Sequence, residues 1–355
     1  MPSLSARPNV NITIHSSAAN FLSVAFDALS LAEERSNIIL ALALKAQEQE
    51  EQMQQEIVAS QNLWLCAWTT KASPRSPSAK SSLDFVFALN DNPLGGYPLF
   101  IWSSHPSCDL TPTFIEHRVQ LAAIQLYKLV PSQRIFSVFG LVPVVCAFRD
   151  IWAHISGHNP EPTPFYSAKL SYCTKASLKS TLSRIPQGDS IRVAEMGDHE
   201  EVAGLCHAFA QYSEYFTLKD NESKMQALEL IRDKRVWVYQ VQDTCGRPRL
   251  ASLVCSSRSS RSVAAITKVY TAPEFRGRQF ARHLVYWVTR NLLYNENKDA
   301  VVLYVSHGNP AEKVYHQIGY AGLCGAPRPA MVEDWLEVGF QVGLDLKLFI
   351  LGSNG

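Results

Sequence analysis

Apolar residues recur every three to four positions in some stretches and run together or alternate in others, and these two patterns divide the chain into helices and strands. Residues 18–31 place Phe21, Val24, Ala25 and Ala28 on one face, which predicts a helix, and residues 37–44 predict a second. The Gln- and Glu-rich tract at 47–56 reads as a solvated helix extension or loop, because apolar heptad positions do not persist through it. Residues 63–69, LWLCAWT, predict a strand, and the Pro- and Ser-dense stretch 71–82 a mobile loop. Residues 83–89 and 99–102 read as a hairpin-like pair of strands. Phe114, Val119, Ala122, Ala123, Leu126 and Leu129 then mark a helix over 113–129 that stops at Pro131. A short strand at 135–139 follows, with Gly140 opening a turn, then a helix over 142–154, a strand over 166–173 and a linker over 175–187.

The second half repeats this alternation. Residues 190–194 predict a strand, and 197–201 cap a helix holding Val202, Leu205, Cys206 and Phe209. Residues 237–241 and 249–255 read as antiparallel strands about a turn at 243–246. A turn at 256–260 leads into the apolar run Val263-Ala264-Ala265-Ile266, which continues to Val269-Tyr270 as one strand broken by Ala272-Pro273-Glu274. Phe280, Leu284, Val288 and Leu292 lie on one helical face. A strand over 300–305 and a helix over 311–317 come next, and residues 332–340 are expected to cover a sheet edge.

Between the strand ending near Thr271 and the helix starting near Phe280 stands Arg276-Gly277-Arg278-Gln279, with Arg282 one turn on. A strand, a basic glycine-containing turn and a helix together aim unpaired backbone N–H groups at one point, where the helix dipole also favours an anion. That arrangement suits a pyrophosphate. Neither GxxxxGK[ST] nor GxGxxG is present here, so this is neither a P-loop nor a dinucleotide fingerprint.

The stretch Arg276-Gly277-Arg278-Gln279-Phe280-Ala281 resembles motif A, [Q/R]-x-x-G-x-[G/A], of the GNAT superfamily of acyl-CoA-dependent N-acetyltransferases, with Gln279 in place of the central glycine. About thirty residues on, Leu303-Tyr304-Val305, Asn309-Pro310 and Tyr315 to Gly319-Tyr320 match in order and spacing the strand, helix and last strand that line the thioester in that family. The resemblance implies a mixed α/β (α+β) GNAT fold with a central sheet flanked by helices. It further implies that the pyrophosphate sits on the amides of Gly277, Arg278, Gln279, Phe280 and Ala281, with Arg276, Arg278 and Arg282 adding charge around it. The pantetheine would run along Val269, Tyr270 and Thr271, and an N–H of Tyr270 or Thr271 would face the thioester oxygen. Asn309 would line the channel, and Tyr315 would protonate the leaving thiolate. A general base is not identified: Glu214, His307, His316, Glu312 and water all remain open. Acetyl-CoA, or another acyl-CoA, is the implied co-substrate and a small-molecule amine the implied acceptor. The alternative is an acyl-CoA-binding sensor or scaffold without turnover, and Gln279 is the residue that separates the two.

The layout of 1–187 follows the same order of elements more faintly, at Phe21-Leu22, residues 37–40 and Phe139-Gly140, and has no basic glycine turn. It resembles a two-lobed GNAT subfamily, with a degenerate lobe over 1–187 and a complete one over 188–355. A length of 355 residues accommodates two such domains. A formal net charge of +1 gives no reason to expect nucleic acid or an anionic membrane as partner. Apolar runs near the start are far shorter than the ~20 residues that span a bilayer. No basic leader precedes them, so a cytoplasmic location is the default expectation. The eight cysteines contain no CxxC pair and no zinc-ligand spacing, which predicts reduced buried thiols and no metal.

Overall fold

The computed structural model describes residues 9–52, 62–71, 80–92, 94–179, 185–212, 217–243 and 245–342. In chain order the first elements are β1 (Asn9–His15), α1 (Ala18–Ser30), α2 (Glu33–Gln52), β2 (Leu63–Lys71), β3 (Lys80–Leu89), the short pair β4 (Asp91–Asn92) and β5 (Gly95–Gly96), and β6 (Leu99–Ser103). Next come α3 (Pro112–Leu129), β7 (Ser137–Leu141), α4 (Val142–Ser156) and β8 (Tyr166–Thr174). There follow β9 (Ser190–Val193), α5 (His199–Ala210), α6 (Asp220–Arg232), β10 (Val236–Gln242), β11 (Pro248–Cys255), β12 (Arg258–Ser259), β13 (Val263–Ile266) and β14 (Lys268–Thr271). The last are α7 (Phe280–Tyr294), β15 (Ala300–Ser306), α8 (Ala311–Ile318) and β16 (Asp334–Gly339).

The chain forms two compact units, one of the described residues within 1–167 and 333–355, the other of those within 168–332. These bounds differ from a boundary at 187. In the second unit β8 pairs antiparallel with β15, from Ala300↔Thr174 to Ser306↔Ala168. In the first unit β16 pairs antiparallel with β7, from Trp335↔Leu141 to Gly339↔Ser137. Residues 332–340 therefore lie within a sheet rather than over its edge. The predicted linker has no regular structure among its described residues, and most of the 71–82 loop falls outside the described residues.

The sheet of the first unit runs β1-β2-β3-β6-β7-β16 and is antiparallel except for β6 and β7. Gly140, expected to open a turn, lies inside β7, where a Cβ would stand 2.7 Å from the Ile101 carbonyl oxygen. Helix α3 carries a buried guanidinium into this unit. Arg118 donates through Nε to Asp84 at 2.6 Å and through Nη1 to the Phe114 carbonyl at 2.9 Å, so the charge is paired rather than stranded.

The second unit has two sheets, β8-β15-β13-β12 and β14-β11-β10-β9. Helix α7 packs on one side through Phe280, Leu284, Val285, Val288 and Leu292. Helices α5 and α6 pack on the other through Val202, Cys206 and Ala227, in one cluster with Tyr270 of β14. Residues 263–271, predicted as one strand, divide at Thr267, whose N–H turns to the Cys255 carbonyl at 2.8 Å. Residues 318–320, expected as the last strand, instead form the end of α8 and a turn, with Gly319 at φ +121°. The place beside β15 is already taken by β8.

Candidate functional site

The division at Thr267 opens the site. Upstream, β13 pairs in parallel with β15, ending at Ile266↔Leu303. Downstream, β14 leaves β15 and pairs antiparallel with β11, from Cys255↔Lys268 to Ser252↔Thr271. Among the described residues β14 has no strand partner on its other edge. Hydrogen-bonded pairs alternate along an antiparallel ladder. Ala272 donates to the Ala251 carbonyl at 3.0 Å, which sets the phase. Tyr270/Leu253 and Lys268/Cys255 are then bonded pairs, while Val269 and Thr271 turn their N–H and C=O to the open edge. Tyr270 therefore does not offer its N–H there. Its ring belongs to the cluster under α5 and α6, whereas Val269 packs on the α7 side.

The turn that follows is left-handed twice, with Gly277 at φ +79° and Gln279 at φ +65°. The second value explains the usual glycine at that place: only residues without a Cβ enter this region at no steric cost. Gln279 adopts it nonetheless, as the residue preceding α7, and its side chain does not cap the helix. Its Oε1 accepts instead from Arg282 Nη1 at 3.0 Å. The first bond into the helix is His283 N–H to the Gln279 carbonyl, 3.1 Å, so Phe280 and Ala281 precede any intrahelical acceptor. Phe280 anchors the turn, stacked on Tyr239 at 4.3 Å between centroids. His283 is held below its ordinary pKa by burial and by Arg282, so it adds no charge to the cradle at neutral pH.

The arginines are not equivalent. Arg276 donates through Nε to the Thr271 carbonyl at 3.1 Å and through Nη2 to the Tyr212 hydroxyl at 2.5 Å. Arg278 is exposed, its guanidinium 5.9 Å from the Phe275 ring centroid. Tyr212, just past α5, carries no motif and is evident only from the fold. Ser252 is similar: buried on β11, it donates to the Tyr270 carbonyl at 2.8 Å and is bonded to the Thr271 hydroxyl at 2.9 Å.

Asn309 precedes α8 and its Oδ1 accepts from Ala311 N–H at 2.9 Å, so its carbonyl end caps a helix. Tyr315, on the inward face of α8, lies edge-on to Tyr320 at 5.9 Å and shares a cluster with Ile266, Leu303 and Val305, which flank the point where β13 and β15 part. Of the base candidates, Glu312 is bound by the Cys324 N–H at 2.8 Å and Lys169 at 3.0 Å, which hold its carboxyl below the usual range and make it a weak base. His307 is exposed, and His316 has a buried Nδ1 without a hydrogen-bond partner. Glu214 lies outside the described residues. Among the described residues no group of three or more His, Cys, Asp or Glu could hold a metal. No helix there is long and apolar enough to cross a membrane. All eight cysteines are free thiols, but only Cys66, Cys173, Cys206 and Cys255 are buried as expected.

The first unit arranges the same elements differently. Phe100 and Ile101 of β6 are paired on both edges, to β3 and to β7; beyond them Trp102 and Ser103 pair with β3 alone, and Arg35 Nη2 donates to the Ser103 carbonyl at 3.1 Å. The N-terminus of α3 is capped by Thr111, which accepts from Phe114 N–H at 3.4 Å, and the preceding turn carries Asp109 rather than arginine.

Residues 249–325, which span the open edge, the turn and α8, match the family model described as FR47-like protein. No curated protein matches the chain. A tandem GNAT protein from the clavulanic acid biosynthesis pathway, solved without AcCoA, has TM-score 0.51 at 13% identity, over 95% of this chain and 100% of that chain. A Drosophila protein has TM-score 0.55 at 12% identity, over 94% of this chain and 97% of that one. The chain thus has a two-lobed GNAT fold.

Proposed function

We propose that this GNAT fold binds an acyl-CoA in its second unit and transfers the acyl group, most simply acetyl, to an amine of a small molecule. The observation that carries the reading is the open edge of β14 running directly into a left-handed turn and an uncapped helix. A phosphate group suits the amides of residues 277–281, where the α7 dipole is favourable and Arg278 adds charge. A pantetheine chain leaving that point meets Thr271 first and Val269 second, and its amides fit Thr271 N–H and both groups of Val269 as an added strand would. The thioester then falls near Val269, whose N–H is the donor for the charge that develops on the acyl oxygen.

In the transfer, the neutral amine nitrogen attacks the thioester carbon, the carbon–sulfur bond breaks, and the sulfur leaves with the electron pair. The thiolate takes a proton, and the new ammonium loses one. Tyr315 is the proposed donor to sulfur: a thiol has a pKa of ~8.5 and a phenol ~10, so the transfer is uphill by only about 2 kcal/mol. Removal of the amine proton falls to water, a histidine or Glu214, because Glu312 is held ionised and weak. Binding without turnover is the second reading, favoured by the lack of any carboxylate on β14 and by Gln279 in the turn. A screen of amines with acetyl-CoA, read as thiol release, separates the two. Release above the rate with acetyl-CoA alone supports transfer, and saturable binding with no release from any amine supports the sensor.

A further inference from the structure

We infer that Arg276 is a positioning residue for the open edge of β14 and not a ligand of the pyrophosphate, an inference that rests on the acyl-CoA reading above. Its guanidinium lies 5.1 Å from the Tyr212 ring centroid and 5.7 Å from that of Tyr270. The two rings are themselves 5.9 Å apart. Tyr270 belongs to the side of the sheet covered by α5 and α6, and α7 covers the other. The guanidinium is therefore committed to the α5 side, while the amides that suit a phosphate belong to the first turn of α7. A planar guanidinium presents its donors in fixed directions, and here Nε and Nη2 are both engaged.

Thr271 C=O is one of only two carbonyls that β14 turns to its open edge. Left unpaired, it would present negative charge beside the incoming chain and compete for its N–H groups. With Arg276 Nε bound to it, the end of the edge nearest the turn presents a donor alone, the Thr271 N–H, and the register of an added chain is fixed from there. The second arm, on the Tyr212 hydroxyl, fastens the end of α5 over the same residue. Arg276 thus clasps the two segments that border the acyl-carrying chain.

Titration of the full chain with CoA at several salt concentrations, together with steady-state transfer from acetyl-CoA to the amine found by screening, tests this. Arg276→Gln should leave CoA affinity within about threefold and the salt dependence of binding unchanged. Turnover should fall about tenfold or more, because displacement of the acyl end by about 1 Å is enough for such a loss. Tyr212→Phe should cost less, and the double variant no more than Arg276→Gln alone, since both act through one contact. Arg278→Gln is the contrast: weaker CoA binding and a shallower salt dependence. A tenfold loss of CoA affinity with a flattened salt dependence in Arg276→Gln would make it a phosphate ligand and overturn the inference, as would unchanged turnover. Failure of the parent chain to bind CoA would defeat the acyl-CoA reading itself. The clasp is then judged by amide exchange without ligand. Faster exchange in both 205–212 and 268–272 on Arg276→Gln supports it, and unchanged exchange in either overturns it.

Discussion

Gln279 holds a backbone conformation that costs a residue with a Cβ roughly 1–2 kcal/mol, at φ +65° and with its side chain tied to Arg282. Gln279→Gly should relieve that strain and gain up to about 1 kcal/mol in a urea unfolding curve, less the extra freedom glycine has when unfolded. If Gln279 is merely tolerated in the turn, acetyl-CoA should also bind more tightly. Weaker binding would mean that its amide reaches the ligand. Tyr315→Phe removes one hydroxyl and keeps the ring against Tyr320, so stability should change little. Turnover should drop about tenfold, with KM near its starting value, as expected for a proton donated only in the transition state. Loss of acetyl-CoA affinity with kcat intact would make Tyr315 a binding residue. In the first unit, Glu337 is buried with its Oε1 accepting from Ser137 at 2.7 Å, and burial pushes its carboxyl up to about 7. A raised carboxyl is protonated in the folded chain over a range where the unfolded chain has released the proton. Its contribution to stability is thus full below the unfolded value, near 4.5, and is lost as pH rises through about 7. Glu337→Gln should cancel a loss of about 3 kcal/mol between pH 4.5 and pH 8, read from denaturant midpoints at the two values. An identical pH dependence in parent and variant would contradict it. At this scale the basic turn is legible in the sequence because glycine and arginine act locally. Tyr212, Ser252 and Glu337 are not, because each gains its partner from a distant strand or turn.

The period of Phe280, Leu284, Val288 and Leu292 is enough to place α7, since one buried face fixes it, and the unbroken apolar run at 63–69, buried on both faces at 64–67, is enough to place β2. Other elements are decided by what lies beside them. Residues 263–271 look like one strand because every residue of 263–266 is buried and apolar. The break at Thr267 comes from a change of neighbour, from β15 to β11, which local composition does not encode. Helix α2 runs on through the charged tract to Gln52, and Glu50 explains why: it accepts from Ala18 N–H at 2.7 Å and caps α1. Helix α6, with a narrow buried stripe of Ala227, Leu230 and Ile231 among charged residues, carries a weak periodic signal. The largest departure is the pair β8 and β16, each of which joins a sheet distant in sequence. A fragment beginning at residue 188 therefore lacks β8, exposes the edge of β15, and carries β16 without β7. Such a fragment should aggregate or lose cooperative unfolding by circular dichroism. A soluble 188–355 fragment with a sharp thermal transition would contradict the exchange of these strands.

At the scale of the whole molecule, two units with a similar order of elements differ at the strand before the turn and at the helix after it. In each unit the strand before the turn parts from one neighbour: in the second, all four residues of β14 pair with β11 alone; in the first, only Trp102 and Ser103 pair with β3 alone, and Arg35 occupies the Ser103 carbonyl. The anion cradle follows the same division, uncapped at α7 and capped by Thr111 at α3. The faint likeness of the first half to the second is legible in the sequence as an order of helices and strands, but the length of the parted edge and its occupation by Arg35 are matters of register and partners, visible only in the fold. The chain should therefore take one acyl-CoA, in the second unit. Titration calorimetry of the full chain with acetyl-CoA measures this directly. The predicted result is saturable binding with a stoichiometry near one per chain. No saturable binding would remove the open edge of β14 as a cofactor site, and a stoichiometry near two would mean that the first unit, with its short edge held by Arg35 and its capped α3, also takes a ligand.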